Sequence, residues 1–332
     1  MRALWIEPGG KLELREVPLA PLAAGECRVA VHLTGVCRTD LELTKGYMGF
    51  AGIPGHEFAG TVMEGDERFI GRRVVGEINV GCGQCAACRS GMSRHCTERT
   101  VLGILRRPGA FAEFLDLPAR NLLAVPGNVS DEEAVFTEPL AAALEIFEQL
   151  HIPPGARMLV LGDGKLGLLV SQVCGHYGAR VTLLGRHEKK LALARRWGVA
   201  AEQNTEKSGA CASDLGRFPY VVECTGAPAA FAQAVALTAP RGTLILKSTY
   251  TPSEAPKLDW SRIVVDEITI LGSRCGPFAP ALRLLAGGKL DVRCLIDHRK
   301  PLDQAVEAFE LAGRKGSLKV LVQIAGGYSQ TA

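Results

Sequence analysis

The sequence predicts two domains of different architecture, an irregular antiparallel β-barrel and an α/β domain built on a doubly wound parallel sheet. A prior of about 150 residues per domain gives two domains for a chain of 332 residues. The first 125 or so residues show short, roughly alternating apolar runs between Gly-rich turns, which is typical of an all-β barrel. From Pro139 onward, helical patterns alternate with buried strands, and this alternation predicts a parallel sheet covered by helices.

The predicted elements follow one another in two blocks and a closing segment. The barrel strands read, in chain order, LELREV, CRVAVHLTGV, EFAGTVM, RRVVGEINV and AFAEFLDL. The α/β block then reads as helix LAAALEIFEQL, strand RMLVLG, helix LGLLVSQVCGHYG, strand RVTLLG, helix KKLALARRWG, and strands PYVVEC and GTLILK with a helical link between them. The segment from about Pro277 has two helical patterns, ALRLLAGG and LDQAVEAFELA, and a closing strand LKVLVQI.

Composition and charge exclude several classes of protein. Hydrophobic residues make up 47% and charged residues 22%, which excludes a disordered or fibrous chain. The net charge of +3 is too small to predict nucleic acid or an anionic membrane as the main partner. The first twenty residues lack the apolar run of a signal peptide, and no stretch reaches 18 apolar residues. We therefore expect a cytoplasmic protein that acts on small molecules.

Four of the eleven cysteines lie close together in GCGQCAACRSGMSRHC. Their spacing is C-x2-C-x2-C-x7-C, and four thiolates in a glycine-containing loop suit a tetrahedral Zn²⁺ with no open position. The alternatives are two disulfides or free thiols, and a reducing compartment argues against the disulfides. The segment therefore predicts a structural zinc ion held by Cys82, Cys85, Cys88 and Cys96.

The segment GDGKLG follows a predicted strand and opens a predicted helix. Gly162 permits a tight turn, Gly164 lets the backbone approach a pyrophosphate, and Gly167 allows the helix to pack closely on the strand. A merely Gly-rich turn is the alternative, but the strand–turn–helix context favours dinucleotide binding. Lys165 and Leu166 lie in the same turn and are expected to contribute to that site.

The choice of cofactor is predicted from the end of strand RVTLLG, about twenty residues further on. NAD-binding folds place an acid there, against the ribose 2′-hydroxyl, but this chain has Gly185 and Arg186. A guanidinium without a neighbouring carboxylate favours the 2′-phosphate of NADP(H). The alternative is that Arg186 is simply solvated and Glu188 binds the ribose. Further cations stand nearby at His187, Lys189 and Lys190.

Three scattered positions complete the set of candidate residues. They are Cys37 in GVCRTD, His56 with Glu57 in PGHEFAG, and Glu138 in FTEPLAAALE. Each has a simple structural explanation in isolation: Cys37 as a small core residue, His56 as a hydrogen-bonded core residue, and Glu138 as a favourable charge at a helix N-terminus.

Taken together, these motifs resemble the zinc-dependent medium-chain alcohol dehydrogenase family, in its polyol and sugar dehydrogenase-like branch. The resemblance spans essentially the whole chain, with GVCRTD, GHEFAG, the four-Cys segment, TEPL, GDGKLG and SLKVLV in the family's order. It implies a GroES-like catalytic domain over residues 1–139 and 276–332 and a Rossmann domain over 140–275, with the active-site cleft between them. A homodimer or homotetramer is also implied, joined through the edge strand at residues 268–272.

The resemblance also implies a role for individual residues. Cys37, His56 and Glu138 match the ligands of a catalytic zinc ion, and Glu57 matches an acid that can approach or replace a ligand. Thr39 matches the hydroxyl that receives the substrate proton. Such a zinc ion keeps an open position and acts as a Lewis acid on the substrate oxygen, which favours hydride transfer to or from the nicotinamide.

Other residues are matched to supporting roles. Asp40 matches a carboxylate beside the zinc-binding histidine. Arg38 and Lys319 match basic contacts to the pyrophosphate, and Arg274 falls near a substrate-pocket arginine. The substrate pocket itself is expected to include Ile78, Asn79, Tyr47, Met48 and Phe50.

Two departures from the family pattern bear on the function. Glu42 stands where some members carry a histidine of the proton relay. The stretch TVMEGDERFIGRRV, between GHE and the four-Cys segment, is shorter than is usual in the family. The motifs predict an oxidoreductase acting on an alcohol or polyol, or on the corresponding carbonyl compound, with NADP(H). The alternatives are a zinc-free NADPH-dependent quinone or enone reductase of the same fold and a non-catalytic NADPH-binding redox sensor.

Overall fold

The computed structural model describes residues 1–204, 215–249 and 259–324. The chain divides into two compact units, one formed by Met1–Glu138 with Phe278–Ala332 and the other by Pro139–Pro277. We refer to them as the barrel unit and the sheet unit. The last part of the chain therefore returns to the unit that the first strands form.

Eighteen strands and ten α-helices are present in the described part of the chain. The strands are β1 (Arg2–Ile6), β2 (Leu12–Glu16), β3 (Glu26–Gly35), β4 (Phe58–Glu64), β5 (Arg73–Gly76), β6 (Asn79–Val80), β7 (Thr100–Leu102), β8 (Arg106–Arg107), β9 (Phe114–Pro118), β10 (Leu122–Ala124), β11 (Arg157–Leu161), β12 (Arg180–Gly185), β13 (Ala200–Gln203), β14 (Phe218–Glu223), β15 (Thr238–Leu246), β16 (Thr269–Gly272), β17 (Ile296–Pro301) and β18 (Lys319–Gln323). The helices are α1 (Arg38–Leu43), α2 (Ala86–Arg89), α3 (Asp131–Ala134), α4 (Thr137–Gln149), α5 (Lys165–His176), α6 (Glu188–Arg196), α7 (Pro228–Leu237), α8 (Trp260–Val265), α9 (Phe278–Ala286) and α10 (Ala305–Gly313).

The barrel unit is organised around β3, its longest strand. The strand order of its main sheet is β10-β5-β4-β3-β18-β17, and β9 also pairs with β3. Cys27, Val29 and Val31 of β3 are fully buried, and the intervening Arg28 and Ala30 are buried as well. Two smaller sheets, β1-β2 and β6-β7-β8, complete the strands of this unit.

Five strands of the barrel unit were not predicted from the sequence: β1, β7, β8, β10 and β17. Strand β17 reads IDHRKP and lies at the edge of the sheet with most of its side chains exposed, so it lacks the apolar alternation of a half-buried strand. It pairs parallel with β18, because helix α10 carries the chain from one strand to the other. The prediction of an antiparallel barrel is therefore wrong at this edge, where β17 and β18 pair in parallel.

The sheet unit contains six parallel strands in the order β13-β12-β11-β14-β15-β16. From β11 the chain first adds β12 and β13 on one side and then β14, β15 and β16 on the other, so the strand order changes direction between β11 and β14. Dinucleotides bind at that switch point in doubly wound folds. A core of buried apolar residues packs helix α7 against the sheet; it includes Leu159, Val221, Leu244, Phe231 and Ala234. The predicted fold class, a β-barrel domain with a doubly wound parallel sheet, is confirmed.

Within the part of the chain that the structure describes, no helix combines the length and the apolar character needed to cross a bilayer.

Candidate functional site

A cluster of metal-ligating side chains lies where β3 ends and β4 begins. Cys37 directly precedes α1, and His56 and Glu57 directly precede β4. The antiparallel pairing of β3 with β4 brings these segments together, with the N–H of Gly35 donating to the carbonyl of Glu57 at 2.8 Å. One ligand atom from each of Cys37, His56 and Glu57 lies within 4.8 Å of the others, and both His56 and Glu57 are buried.

The carboxylate of Asp40 contacts both Cys37 and His56 of this cluster. Its Oδ2 accepts the N–H of Cys37 at 2.8 Å, its Oδ1 accepts the N–H of Gly55 at 3.2 Å, and His56 Nδ1 lies 3.3 Å from Oδ1. Burial opposes the charged imidazole, but Asp40 and Cys37 outweigh it and raise the pKa of His56 well above its usual value. Asp40 therefore lies beside Nδ1 of His56 as an ion-pair partner, and a carboxylate on that side would leave Nε2 for a metal.

Glu57 has a second partner from the far end of the chain. The ammonium of Lys319 pairs with its carboxylate, and both side chains are 1% exposed. The Lys319 ammonium also lies 5.5 Å from the centroid of the Phe136 ring. Lys319, which the resemblance matches to a pyrophosphate contact, is enclosed beside Glu57 in this structure.

Glu138 lies at the start of α4, half-buried, and is not part of the close set of three. Loss of solvation raises the pKa of this carboxyl to about 7; His56 and Lys319 lower it, and Glu57 and Glu77 raise it further. The structure therefore gathers Cys37, His56 and Glu57 into one close set and leaves Glu138 within electrostatic reach of His56 and Glu57.

The donor set suits a zinc ion. A thiol, an imidazole and carboxylates are the ligands that Zn²⁺ takes at catalytic sites, where three protein ligands leave one position open. Thr39 is well placed beside the set, since its Oγ1 lies 3.8 Å from Cys37 Sγ. Glu42 pairs with Arg38 at 2.8 Å and with Lys45 at 3.2 Å. Arg38 itself is exposed.

The expected pocket residues differ in their exposure, and Phe50 is half-buried. Ile78 and Asn79 are buried, and Glu77 Oε1 accepts the Nδ2–H of Asn79 at 2.8 Å. Tyr47 and Met48 are exposed. Sequence reasoning missed Glu77, which acts electrostatically on Glu138; its only signal is an acid in GEINV, directly before the four-Cys segment.

The four cysteines of the predicted structural site come together in the barrel unit. Their sulfur atoms all lie within 4.8 Å of one another, and the described cysteines of the chain are all free. Backbone N–H groups of Cys82, Cys85 and Cys88 each donate to a sulfur of the set at 3.4 Å. Such donors stabilise thiolates, and those of Gln84 and Cys85 lower the pKa of Cys82 to about 6. The arrangement suits Zn²⁺ with four sulfur ligands.

The Gly-rich turn of the sheet unit has the predicted shape. Gly162 has φ +110°, and α5 begins at Lys165 directly after Gly164. A Cβ on Gly167 would lie 1.8 Å from the carbonyl oxygen of Gly162, so the helix packs on the turn as closely as the motif predicts. These features fit the cradle that a pyrophosphate requires at a helix N-terminus.

The end of β12 carries Gly185, Arg186 and His187. Arg186 is exposed, whereas Lys190 is buried in α6 and does not reach solvent with it. Glu188, the alternative ribose ligand, pairs with Arg195. Sequence reasoning missed Asp163, the acid inside the Gly-rich motif, whose carboxylate contacts this strand end. Arg274, the expected substrate-pocket residue, is exposed in the segment after β16.

Comparison with known proteins covers both units. The family model "Alcohol dehydrogenase GroES-like domain" matches residues 23–127, and the model "Zinc-binding dehydrogenase" matches residues 166–287. The chain is 29% identical over 337 residues to L-threonine 3-dehydrogenase of Legionella pneumophila (strain Corby), covering 95% of this chain and 97% of the relative.

Two solved structures are similar over nearly the whole chain. One is a short chain alcohol dehydrogenase from E. coli CFT073 complexed with NADH, with a TM-score of 0.89, 27% identity, and coverage of 98% of this chain and 99% of that one. The other is a candidate zinc-binding dehydrogenase from Sinorhizobium meliloti 1021 bound to NADP, with a TM-score of 0.88, 28% identity, and coverage of 97% and 99%.

Proposed function

Because the chain belongs to the zinc-dependent medium-chain dehydrogenase family, we propose that it transfers a hydride between an alcohol or polyol, or the corresponding carbonyl compound, and NADP(H). The observation that carries this proposal is the close set of the partly buried Cys37 and the buried His56 and Glu57, with Glu138 within electrostatic reach of His56 and Glu57. A zinc ion bound there would supply Lewis acidity toward the substrate oxygen. The alcohol dehydrogenase and L-threonine 3-dehydrogenase among its relatives support an alcohol as the substrate class.

The residues of the chain divide the remaining work. Cys37, His56 and Glu138 would hold the metal, and Asp40 would keep Nε2 of His56 directed at it. Glu57 would either pair with the ammonium of Lys319 or bind the metal, because its carboxylate lies beside both the lysine and the ligand set. The Thr39 hydroxyl would accept the proton that leaves the substrate, since it lies beside Cys37.

Glu138 provides the decisive test of the metal centre. If it is a ligand, Glu138→Ala should lose the catalytic zinc and alcohol oxidation while NADPH still binds. If it only complements the helix N-terminus, activity should survive with a stability loss of about 1 kcal/mol. Elemental analysis, turnover and NADPH titration measure the three properties separately.

Two further variants serve as controls for Glu138→Ala. Glu148→Ala removes an exposed acid from the same helix and should leave zinc content and turnover unchanged. Cys37→Ser should abolish turnover with NADPH binding retained, which separates metal chemistry from dinucleotide recognition. Full turnover in Cys37→Ser and Glu138→Ala after exhaustive chelation would instead assign the protein to the zinc-free reductases.

The preference for NADP(H) rests on the absence of an acid at residues 185 and 186 and on the exposed Arg186. The NADP-bound relative supports it, and the NADH-bound relative is the reason to test it. The wild type should have the higher kcat/KM with NADPH, and Arg186→Ala should lower that value about tenfold while leaving NADH little affected. A higher kcat/KM with NADH in the wild type would contradict this preference.

We also propose that the protein is a cytoplasmic homodimer or homotetramer. The described cysteines, including those of the four-Cys segment, are free, and free cysteines fit a reducing compartment. Within the described residues, strand β16 lies at an edge of the sheet unit, where a second copy could pair with it.

A further inference from the structure

Asp163 reaches from the Gly-rich turn to the end of the neighbouring strand β12. Its Oδ2 accepts the N–H of Arg186 at 2.8 Å and the N–H of His187 at 2.6 Å. The ring Nδ1 of His187 lies 3.0 Å from the same oxygen and 3.2 Å from Oδ1. Asp163 is 7% exposed, so these contacts are shielded from solvent. The carboxylate thereby fixes both the backbone and one side chain of the strand end.

The same carboxylate occupies the space beside Gly185. A Cβ built on Gly185 would lie 2.5 Å from Cβ of Asp163 and 2.8 Å from its Cγ and Oδ2. Gly185 does not have a positive φ, so its backbone conformation would accept any residue. Glycine is required at this position because Asp163 fills the volume of a side chain.

The charge of Asp163 agrees with this role. Burial favours the neutral acid, but the N–H groups of His187 and Arg186 and the His187 ring outweigh burial and lower the pKa of Asp163. Because Oδ2 already accepts both backbone N–H groups, it is engaged within the protein. The side chain that remains exposed at the strand end is that of Arg186.

Dinucleotide-binding folds recognise the adenosine ribose at this strand end, with an acid about twenty residues after the glycine motif. We propose that Asp163 is a positioning residue for cofactor choice: it keeps residue 185 without a side chain and holds the Arg186 backbone so that the guanidinium can bind a 2′-phosphate. This proposal rests on the proposed preference for NADP(H). It predicts that positions 163 and 185 are energetically coupled, so that an acid cannot be introduced at 185 while Asp163 is present.

The first test measures dissociation constants of NADPH and NADH for the metal-loaded protein by calorimetry, without turnover. Asp163→Ala should raise the dissociation constant of NADPH about tenfold, because the backbone N–H of Arg186 loses its acceptor. The dissociation constant of NADH should change by less than about threefold. Asp163→Asn keeps an acceptor oxygen and should restore most of the NADPH affinity. Glu202→Ala, an exposed acid on the adjacent strand β13, is the matched control and should change neither value.

The second test is a double-variant cycle on the coupling. Gly185→Asp alone should lose both dinucleotides, because the new side chain collides with Asp163. Asp163→Ala combined with Gly185→Asp should regain binding and prefer NADH, because a ribose acceptor then occupies the vacated space.

Two results would overturn the proposal. One is an equal loss of NADPH and NADH in Asp163→Ala, which indicates a purely structural role. The other is a Gly185→Asp variant that binds NADH as well as the double variant does. A wild type that binds NADH more tightly than NADPH would refute the proposed cofactor preference instead, and the cycle would still decide whether positions 163 and 185 are coupled.

Discussion

At the scale of single residues, the features that sequence spacing predicts differ from those that only the fold can bring together. Spacing alone identifies the four cysteines, because C-x2-C-x2-C-x7-C lies within one loop. The contact of Lys319 with Glu57 joins residues 262 positions apart, and no local pattern indicates it. Asp163 was hidden for another reason: its role depends on the neighbouring strand, and a motif defined by its glycines does not specify the residue between them.

Asp131 shows how a single acid connects several elements of the barrel unit. Its Oδ1 accepts from Arg73 Nη1 at 2.8 Å, and its Oδ2 lies 2.9 Å from His32 Nδ1. These partners stand on β5 and β3, and Asp131 begins α3. Burial raises the pKa of this carboxyl, but His32 and Arg73 together lower it below its usual value. The ion pairs therefore stabilise the fold only while Asp131 is charged.

We predict a pH-dependent effect of Asp131→Asn on stability. A carboxyl with a lowered pKa in the folded state contributes stability above its unfolded pKa of about 3.9, and that contribution is lost as the pH falls through the folded pKa. At pH 7 the variant should have a free energy of unfolding about 1 kcal/mol lower than the wild type, and the gap should close below pH 4 or so. Urea unfolding across this pH range measures it.

Glu67→Gln is the control for that experiment. Glu67 is an exposed acid of the same unit, and its removal should leave stability unchanged at every pH. A difference between Asp131→Asn and the wild type that persists undiminished at low pH would show that the lost interactions do not depend on the charge of Asp131.

At the scale of elements, prediction succeeded where apolar periodicity is strong and failed where an element is exposed or very short. The strands of the parallel sheet read as continuous apolar runs because both faces are covered by helices. Strand β17 escaped prediction because it is an edge strand with a polar sequence. The four-Cys segment has too little regular structure to predict from period, since α2 has four residues and buries none of them.

The four-Cys segment should therefore depend on its metal for stability. Cys88→Ser should lose close to one equivalent of zinc and make the segment susceptible to proteolysis, because a hydroxyl does not replace a thiolate in a tetrahedral site and the segment has almost no apolar core of its own. Elemental analysis and limited proteolysis measure the two effects. Cys294→Ser, which changes a cysteine outside the set, should retain all the zinc, and unchanged zinc in Cys88→Ser would refute the assignment.

At the scale of the whole molecule, chain order was enough to predict two architectures, because a shift from alternating strands to alternating helices and strands marks the boundary between them. It was less informative about the closing segment. There β18 inserts beside β3, and that pairing is set by long-range backbone hydrogen bonds, which a local pattern does not encode. The surfaces left exposed by each unit likewise emerge only from the fold.

The exposed surface of the sheet unit is apolar at one edge. Helix α8 directly precedes the edge strand β16, and within the described residues it exposes Trp260, Val264 and Val265, while β16 exposes Ile270. Exposed apolar side chains beside the edge strand of a sheet are typical of an interface. A second copy of the chain that paired edge to edge through β16 would cover this surface.

We predict that light scattering at micromolar concentration gives at least twice the mass of the chain. Ile270→Lys should shift the protein toward monomer, because a charged side chain on an edge strand opposes strand pairing across a two-fold axis. Val306→Lys is the matched control: Val306 is 37% exposed and Ile270 is 38% exposed, but Val306 lies on α10 of the barrel unit, so its variant should keep the wild-type mass. A wild type that remains monomeric, or a lysine at 306 that dissociates the oligomer while a lysine at 270 does not, would place any interface away from β16.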